Sequence, residues 1–372
     1  MRAEAQPASI FFVTSTLAFG GAERIWALLI PALAARGFRV RVLTLVEEGA
    51  FFHELRSKGV DVRCAHMSRR TDVSGLRRAF GYLPDDVDLI VSQSVNAQTV
   101  GALMARKARV PHVTIDHAGP GLTLRLHRRL LLRIVARTVD VLVAVSPLQL
   151  ERLLPLGFAG ERIQIIPNAV EPLDPTEARD ETRRRLGLAD HDVVALLVAD
   201  LRPVKNARAF VEAVAEAHDT DTRIRGLVVG DGPEFPRVSA VAAASHGVVE
   251  LLGARLDVAN LMNAADVVCL TSRTEGQPLV ILEAMSLGRA VVSTAVGGVT
   301  ELVVDEETGL LVPEGDRAAF ARALVKLAEA PELRLRLGEA GRLRHRERFS
   351  AARMVDAYAS TFREAIERGR GR

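Results

Sequence analysis

The sequence predicts an α/β protein of two domains, each built on a parallel β-sheet flanked by helices. The chain has 372 residues, which is more than a single hydrophobic core usually organises. From Ile10 onward, short β-branched segments alternate with longer segments of helical period, which is the pattern of βαβ units. The alternation stops at a proline-bearing segment and then begins again. These observations favour two parallel sheets in tandem.

The predicted strands have the short, apolar and β-branched composition of buried parallel strands. In the first half of the chain they are Ile10–Val13, Arg39–Leu45, Leu89–Ser92, Val113–Ile115 and Val141–Val145. In the second half they are Val193–Val198, Leu227–Val229, Val249–Leu252, Val267–Leu270 and Val291–Ser293. Gly37 and Gly59 stand where the first intervening helices should end. Hydroxyl-bearing residues interrupt the first apolar run, so we interpret it as a strand and not as a signal peptide.

The segment Glu171–Pro175 is polar, contains two prolines and has no period of its own, as expected of a stiff linker. We therefore predict an N-terminal domain over residues 1–172 and a C-terminal domain over residues 173–350. Helices are predicted over Pro331–Phe349 and Ala351–Arg368, and we expect the second to pack back onto the N-terminal domain. The final Gly-Arg-Gly-Arg is interpreted as a frayed tail.

Composition excludes several classes of protein. The chain has 49 basic and 46 acidic residues and a net charge of +3, a balance that does not indicate a nucleic-acid partner. Its two cysteines, Cys64 and Cys269, lie in apolar segments and offer no disulfide framework or zinc spacing. No apolar stretch reaches the length of about 18 residues that a membrane-spanning helix requires. We expect a cytoplasmic protein that at most associates with a membrane surface.

Ligands of open parallel sheets bind outside the carboxyl ends of the strands, so residues that follow strands are the first candidates. Gly20 and Gly21 follow the first strand and open a helix that runs to about Arg36. This arrangement lets backbone amides cradle a phosphate, although a tight packing turn explains the glycines equally well. His117 follows a later strand and precedes a glycine-proline turn. A histidine there can orient a hydroxyl or move a proton, but most single histidines do neither.

Two cations, Arg202 and Lys205, lie in the loop after Val193–Val198. Cations at such a place can stabilise the negative charge that builds on a departing diphosphate. An ordinary solvated basic loop is the alternative.

The segment Thr274–Met285 contains two carboxylates, Glu275 and Glu283, around the start of a predicted helix. Pro278 suits the first position of that helix, and Gly288 its end. The free amides of Leu279 and Val280 would then face an anion, while the carboxylates accept hydrogen bonds from sugar and ribose hydroxyls. A capped helix with a solvated Glu283 is the alternative.

The segment Leu122–Arg137 contains no acidic residue and has arginines at a spacing of four: Arg125, Arg129, Arg133 and Arg137. On a helix these form a cationic stripe beside an apolar row of Leu126, Leu130 and Ile134. Such a helix can rest on anionic lipid headgroups. A docked helix with a solvated basic face is the alternative.

In their order along the chain, these motifs resemble the retaining glycosyltransferases of family 4, which have the GT-B fold. The motifs are Gly20-Gly21-Ala22-Glu23, His117, the Lys205 loop, Val229–Pro233, Glu275-x7-Glu283, Val296-Gly297-Gly298 and Thr308–Val312. The resemblance covers nearly the whole chain. It implies two facing Rossmann-like domains, with the acceptor bound by the first and the nucleotide sugar by the second.

The resemblance also implies a role for each candidate residue. Lys205 would hold the donor diphosphate, Glu275 would contact the transferred sugar, and Glu283 the ribose. His117 would assist at the reacting centre of the sugar, and the backbone near Gly253 would meet the base. The remaining donor contacts would come from the two turns: Gly20, Gly21, Gly276, Gln277, Leu279 and Val280.

Family members retain the anomeric configuration and use no metal or other cofactor, because cations and helix ends hold the diphosphate. The leaving phosphate itself helps to deprotonate the acceptor hydroxyl. A UDP-linked hexose is the expected donor. The expected acceptor is a saccharide or a lipid-linked saccharide, reached at the inner face of the plasma membrane through Arg125, Arg129 and Arg133.

One residue departs from the family pattern. Asp200 stands where an arginine is frequent, five residues before Lys205, and its charge would repel a diphosphate. Arg202 is expected to supply the missing cation. Asp200 keeps open a second interpretation, a catalytically silent partner that binds sugar nucleotides. A sugar-nucleotide epimerase of similar architecture is a third, against which the Glu275-x7-Glu283 pair argues.

Overall fold

The computed structural model describes residues 7–18, 20–69, 72–118 and 126–371. The chain divides into two compact units, the first containing residues 1–168 and 351–372 and the second residues 169–350. Residues 169–172, which the sequence assigns to the first domain, thus belong to the second unit.

The first unit contains a seven-stranded parallel sheet in the order β3-β2-β1-β4-β5-β6-β7. Its strands are β1 Ser9–Thr14, β2 Arg39–Thr44, β3 Asp61–Cys64, β4 Leu89–Gln93, β5 His112–Asp116, β6 Val141–Ala144 and β7 Ile163–Ile165. Its helices are α1 Gly21–Ala35, α2 Ala50–Ser57, α3 Val73–Gly81, α4 Val95–Ala108, α5 Leu126–Thr138 and α6 Leu150–Leu153. Every residue of β1, β4, β5 and β6 is buried, as in a sheet covered on both faces.

The second unit contains a six-stranded parallel sheet in the order β10-β9-β8-β11-β12-β13. Its strands are β8 Val193–Val198, β9 Ile224–Val229, β10 Val249–Gly253, β11 Val267–Leu270, β12 Ala290–Thr294 and β13 Leu310–Val312. Its helices are α7 Arg179–Arg185, α8 Ala207–Thr220, α9 Phe235–Ala243, α10 Val258–Ala264, α11 Leu279–Ser286, α12 Val299–Leu302, α13 Arg317–Glu329 and α14 Pro331–Arg348. The strand order reverses between β8 and β11, which makes the carboxyl edge there a natural ligand site.

The last helix, α15 Ala351–Arg370, belongs to the first unit. Tyr358 and Phe362 are buried on it, and the ring of Phe362 lies 6.0 Å from that of Phe12 on β1. Gly369 and Arg370 continue the helix, and Arg370 Nη2 donates a hydrogen bond of 2.9 Å to Asp88 Oδ1. The expectation of a tail frayed from residue 369 is therefore wrong for these two residues.

Among the helices of the described ranges, none is both long enough and apolar enough to cross a membrane.

Candidate active site

The loops after β8 and β11 meet at the carboxyl edge of the second sheet. Lys205 Nζ lies 2.8 Å from Glu275 Oε1, and their side chains are 23% and 9% exposed. Ser272 donates a hydrogen bond of 2.5 Å to the same oxygen. Thr271 Oγ1 donates to the carbonyl oxygen of Lys205 at 3.2 Å and so holds the two loops together. Two predicted site residues that are 70 positions apart thus form one ion pair.

A pair of glycines supports the loop that carries Glu275. A side chain at Gly297 would collide with the carbonyl group of Glu275, and one at Gly298 with that of Gly276. Gly297 also has a φ of +50°, which favours glycine. The neighbouring Gln277 is buried. The Val-Gly-Gly motif after β12 is therefore required by close backbone packing against the candidate site.

Helix α11 begins beside this loop. Pro278 is its N-cap and Leu279 its first residue, so the prediction of Pro278 as the first helical residue is off by one position. No side chain caps this end, and the first amides of a helix have no partner within it. The N–H groups of Leu279 and Val280 are therefore available to an anion. Gly288 has a φ of +65° just after the helix, as the predicted stop requires.

Glu283 lies on the second turn of α11 and is only 3% exposed. The alternative interpretation, a solvated Glu283 on a capped helix, is therefore wrong. A carboxylate is costly to bury unless hydrogen-bond donors or cations surround it. Its burial beside the start of α11 suits a residue that accepts hydrogen bonds from a bound ligand.

Gly253 ends β10 with a φ of +68°, and a side chain there would meet no atom within 4 Å. Its carbonyl oxygen accepts a hydrogen bond of 2.8 Å from the Gly230 amide. The space beside Gly253 is thus open.

Arg202 forms an ion pair with Asp200, with 2.8 Å between Arg202 Nε and Asp200 Oδ2. The side chains are 66% and 48% exposed, and exposed pairs of this kind contribute only about 0–1 kcal/mol. Arg202 therefore neutralises Asp200, and the pair is weak enough for a phosphate to compete for the guanidinium.

A cavity of about 680 Å³ opens between the starts of α8, α9 and α13. Arg202, Thr271 and Arg273 are among its lining residues, whereas Lys205, Glu275 and Glu283 are not. Of the candidate residues, Arg202 thus lies in the cavity wall, whereas Lys205, Glu275 and Glu283 do not.

In the first unit, His117 directly follows β5. Burial lowers its pKa to about 4, while the charge of Asp116 and a hydrogen bond with Asn168 act in the opposite direction. The imidazole is therefore neutral at pH 7 and can exchange hydrogen bonds with a sugar hydroxyl. The glycine-proline turn after it, residues 119–120, lies outside the described ranges.

The glycine turn after β1 contacts a carboxylate. Gly20 is the N-cap of α1, and a side chain at this position would collide with the carboxylate of Glu23. Burial raises the pKa of Glu23, and a hydrogen bond from its own amide opposes this. Any anion that approaches Gly20 and Gly21 must therefore compete with Glu23 for the end of α1.

Two family models match the chain: one described as Glycosyltransferase Family 4 over residues 19–172, and one described as Glycosyl transferases group 1 over residues 192–330. A D-inositol 3-phosphate glycosyltransferase of Streptomyces bingchenggensis is 30% identical over 313 residues, 76% of this chain and 69% of that protein. The chain belongs to glycosyltransferase family 4. The resemblance seen in its motifs is thereby confirmed.

Other relatives match over a shorter part of their length. The N-acetyl-alpha-D-glucosaminyl L-malate synthase of Bacillus anthracis is 29% identical over 240 residues, 63% of this chain and 62% of that protein. For the D-inositol 3-phosphate glycosyltransferase of Saccharomonospora viridis, 32% identity extends over 259 residues, 64% of this chain and 58% of that protein. The chain thus aligns with about three fifths of the length of these two glycosyltransferases.

Solved structures confirm the fold. Anabaena Alr3699/HepE in complex with UDP has a TM-score of 0.86 at 22% identity, covering 96% of this chain and 100% of that one. Sucrose-phosphate synthase from Thermosynechococcus elongatus has a TM-score of 0.81 at 21% identity, covering 97% and 99%. Two Rossmann-like units with parallel sheets, the architecture of GT-B glycosyltransferases, are as the sequence predicts.

Proposed function

We propose that this glycosyltransferase transfers a hexosyl unit from a nucleotide-diphosphate sugar to an acceptor hydroxyl with retention of the anomeric configuration. The observation that carries the proposal is the ion pair of the partly exposed Lys205 with the buried Glu275, beside the uncapped start of α11. A cation, a carboxylate and free helix amides at the switch point of a parallel sheet are the groups that a sugar diphosphate requires.

The donor would exchange the contacts that these residues make with one another. Its diphosphate would accept hydrogen bonds from Lys205 Nζ and the α11 amides. Because these groups would balance its charge, the diphosphate would need no metal ion. Glu275, still held by Ser272, would then accept a hydrogen bond from the transferred sugar. Glu283 would bind the ribose, and the open backbone at Gly253 the base.

UDP is the favoured nucleotide. Anabaena Alr3699/HepE, which shares this fold, has been solved in complex with UDP and with UDP-glucose. The open space at Gly253 would accept a planar base of any kind.

Turnover would proceed without an enzyme nucleophile. Lys205 would stabilise the charge on the leaving phosphate, and that phosphate would take the proton of the acceptor hydroxyl on the same face of the sugar. His117, neutral at pH 7, would hydrogen-bond the sugar as positive charge develops at its reacting carbon. The Asp200–Arg202 pair offsets the charge of Asp200, which argues against the silent-partner interpretation.

The proposed acceptor is a lipid-linked saccharide at an anionic membrane surface, here the inner face of the plasma membrane. On α5, Leu126, Leu130 and Ile134 are 73%, 52% and 58% exposed. The helix packs on its unit through other residues: Leu132, Val135 and Ala136. The apolar row thus faces solvent beside the exposed Arg129 and Arg133, as in helices that insert shallowly into a bilayer. Arg125 lies outside the described residues.

Titration calorimetry with UDP, GDP and ADP, followed by transfer assays with UDP-hexoses, tests the proposal. The acceptors are a membrane lipid extract and, because relatives bear these names, inositol phosphate and malate. We expect UDP to bind and the product to keep the donor's anomeric configuration by NMR. An inverted product would contradict retention, and an altered donor sugar would indicate an epimerase. Binding without turnover would indicate the silent partner.

A further inference from the structure

The segment after β6 holds the main chain on both sides of His117. Gln149 Nε2 donates hydrogen bonds to the carbonyl oxygens of Asp116 at 3.2 Å and of Ala118 at 2.6 Å. Gln149 is fully buried. One side-chain amide therefore fixes the peptide groups that precede and follow the candidate histidine.

The orientation of that amide is itself determined by the backbone. Gln149 Oε1 accepts hydrogen bonds from the N–H groups of Val145 at 2.8 Å and of Ser146 at 3.3 Å. Because two backbone donors occupy the oxygen, the nitrogen of the amide must face the His117 loop. The backbone after β6 therefore fixes the orientation of the Gln149 amide and, with it, the contact to the His117 loop.

A buried ion pair supports the same loop. Arg152 Nη2 lies 2.9 Å from Asp116 Oδ1, and the two side chains are 9% and 10% exposed. The Ala118 N–H donates to the same carboxylate oxygen at 2.8 Å, and Arg152 Nη2 also reaches the Ala118 carbonyl oxygen at 3.3 Å. Burying an ion pair gains little stability over apolar packing. Its presence next to His117 points to a role beyond stability.

We propose that Gln149 and Arg152 are positioning residues for His117: Gln149 fixes its backbone, and Arg152 balances the Asp116 charge that would otherwise favour the imidazolium. This inference rests on the proposed function, in which a neutral His117 contacts the transferred sugar. Burial lowers the pKa of His117, and Asp116 and Asn168 act against it, while Arg152 is paired with Asp116. Asp116 raises the pKa of His117 against the effect of burial, so an unbalanced Asp116 would raise it further.

The direct test is the titration of His117 by NMR in protein labelled at histidine, with His117→Asn to assign its signals. We expect Arg152→Gln to raise the pKa of His117 by one unit or more. Arg152→Lys should leave it near the wild-type value, and the double variant Asp116→Asn/Arg152→Gln should return it there. Arg162→Gln is the matched control, because Arg162 also donates to a backbone carbonyl of this unit, that of Val139.

Turnover and UDP binding complete the test. Arg152→Gln should lower kcat at least tenfold at pH 7, because an unpaired Asp116 carboxylate would shift the loop that it shares with Arg152 and Ala118. The Kd of UDP should change less than twofold, and the double variant, which buries no unpaired charge, should recover part of kcat. Gln149→Met should lower kcat without raising the pKa of His117, since no charge changes. If Arg152→Gln does not fold, the kcat of Gln149→Met decides whether the backbone of His117 needs this support, and an unchanged kcat overturns the positioning role.

The two failures are distinguishable. An unchanged His117 pKa in Arg152→Gln, or an unchanged kcat in both Arg152→Gln and Gln149→Met, would overturn the positioning role while transfer by the wild type stands. A wild type that binds no nucleotide and transfers no sugar would overturn the proposed function, whatever the titration of His117 shows.

Discussion

The two sheets have the same parallel architecture but present different chemistry at their carboxyl edges. In the second unit, a partly buried lysine–glutamate pair lies beside the uncapped start of a helix, and two glycines pack against the loop that carries the glutamate. In the first unit, the corresponding groups are a neutral histidine and a glycine turn covered by Glu23. The charged groups and free helix amides of the second edge suit a phosphate, whereas the neutral histidine of the first edge suits hydrogen bonds with a hydroxyl.

The largest effect is expected from the loss of Lys205, the cation of the candidate site in the second unit. Lys205→Ala should lower turnover roughly 100- to 1000-fold, since a preorganised donor to the leaving group is lost, and should abolish tight UDP binding in calorimetry. Lys326→Ala is the matched control, because Lys326 forms an exposed pair of 2.7 Å with Glu306 in the same unit. Equal effects of the two substitutions would mean that Lys205 has no special role.

The strands of both units could be predicted from the sequence because their burial imposes continuous β-branched runs. Every predicted strand is present, with ends shifted by at most three residues. The strands that escaped prediction are β3, β7 and β13, of three or four residues each. Segments this short carry too little periodicity to be distinguished from loops. All three lie at a sheet edge, and every residue of β7 is at least partly exposed.

The candidate site was only partly predictable. Single residues such as Lys205 and Glu275 could be named from motifs, but their ion pair depends on tertiary structure that joins distant loops. Gln149 and Arg152 follow β6 in a segment of ordinary composition and were missed. The one local signal was the spacing of Ser146 and Gln149, which form a capping box in the structure. That signal predicts a helix start and carries no information about His117.

A smaller effect concerns the stability of the first unit at low pH. Burial lowers the pKa of His112 in the first unit to about 4, with Asp140 acting in the opposite direction. His112 therefore binds a proton more tightly in the unfolded chain than in the folded one. Its contribution to the free energy of unfolding is full above about pH 6.5 and falls as the pH drops towards 4. At pH 5 the loss from His112 should be about 2 kcal/mol relative to pH 7.

Urea unfolding followed by Trp26 fluorescence measures this loss. Trp26 is the single tryptophan of the chain and is fully buried in the first unit, so its signal reports that unit. His112→Gln should remove about 2 kcal/mol of the difference between pH 7 and pH 5, and the exposed His53→Gln should not. An unchanged pH dependence in His112→Gln would show that other groups cause it.

A still smaller effect concerns α5. Arg129→Gln should weaken binding to anionic vesicles by about 1 kcal/mol, roughly fivefold, at low salt. Arg346→Gln on α14 is the matched control, an exposed arginine of the second unit. Flotation with vesicles of anionic and of neutral lipid measures both. If neither vesicle binds the wild type, the exposed row on α5 is a solvated surface and the lipid-linked acceptor loses its support.

The smallest effect is expected where the sequence suggested a frayed end. Arg370 pairs with Asp88 at 2.9 Å, but its side chain is 67% exposed, so Arg370→Ala should cost less than about 1 kcal/mol. Phe362→Ala on the same helix removes a fully buried ring and should cost about 3–5 kcal/mol. Trp26 fluorescence in urea compares the two. A large loss in Arg370→Ala would mean that the ion pair, and not apolar burial, fastens α15 to the first unit.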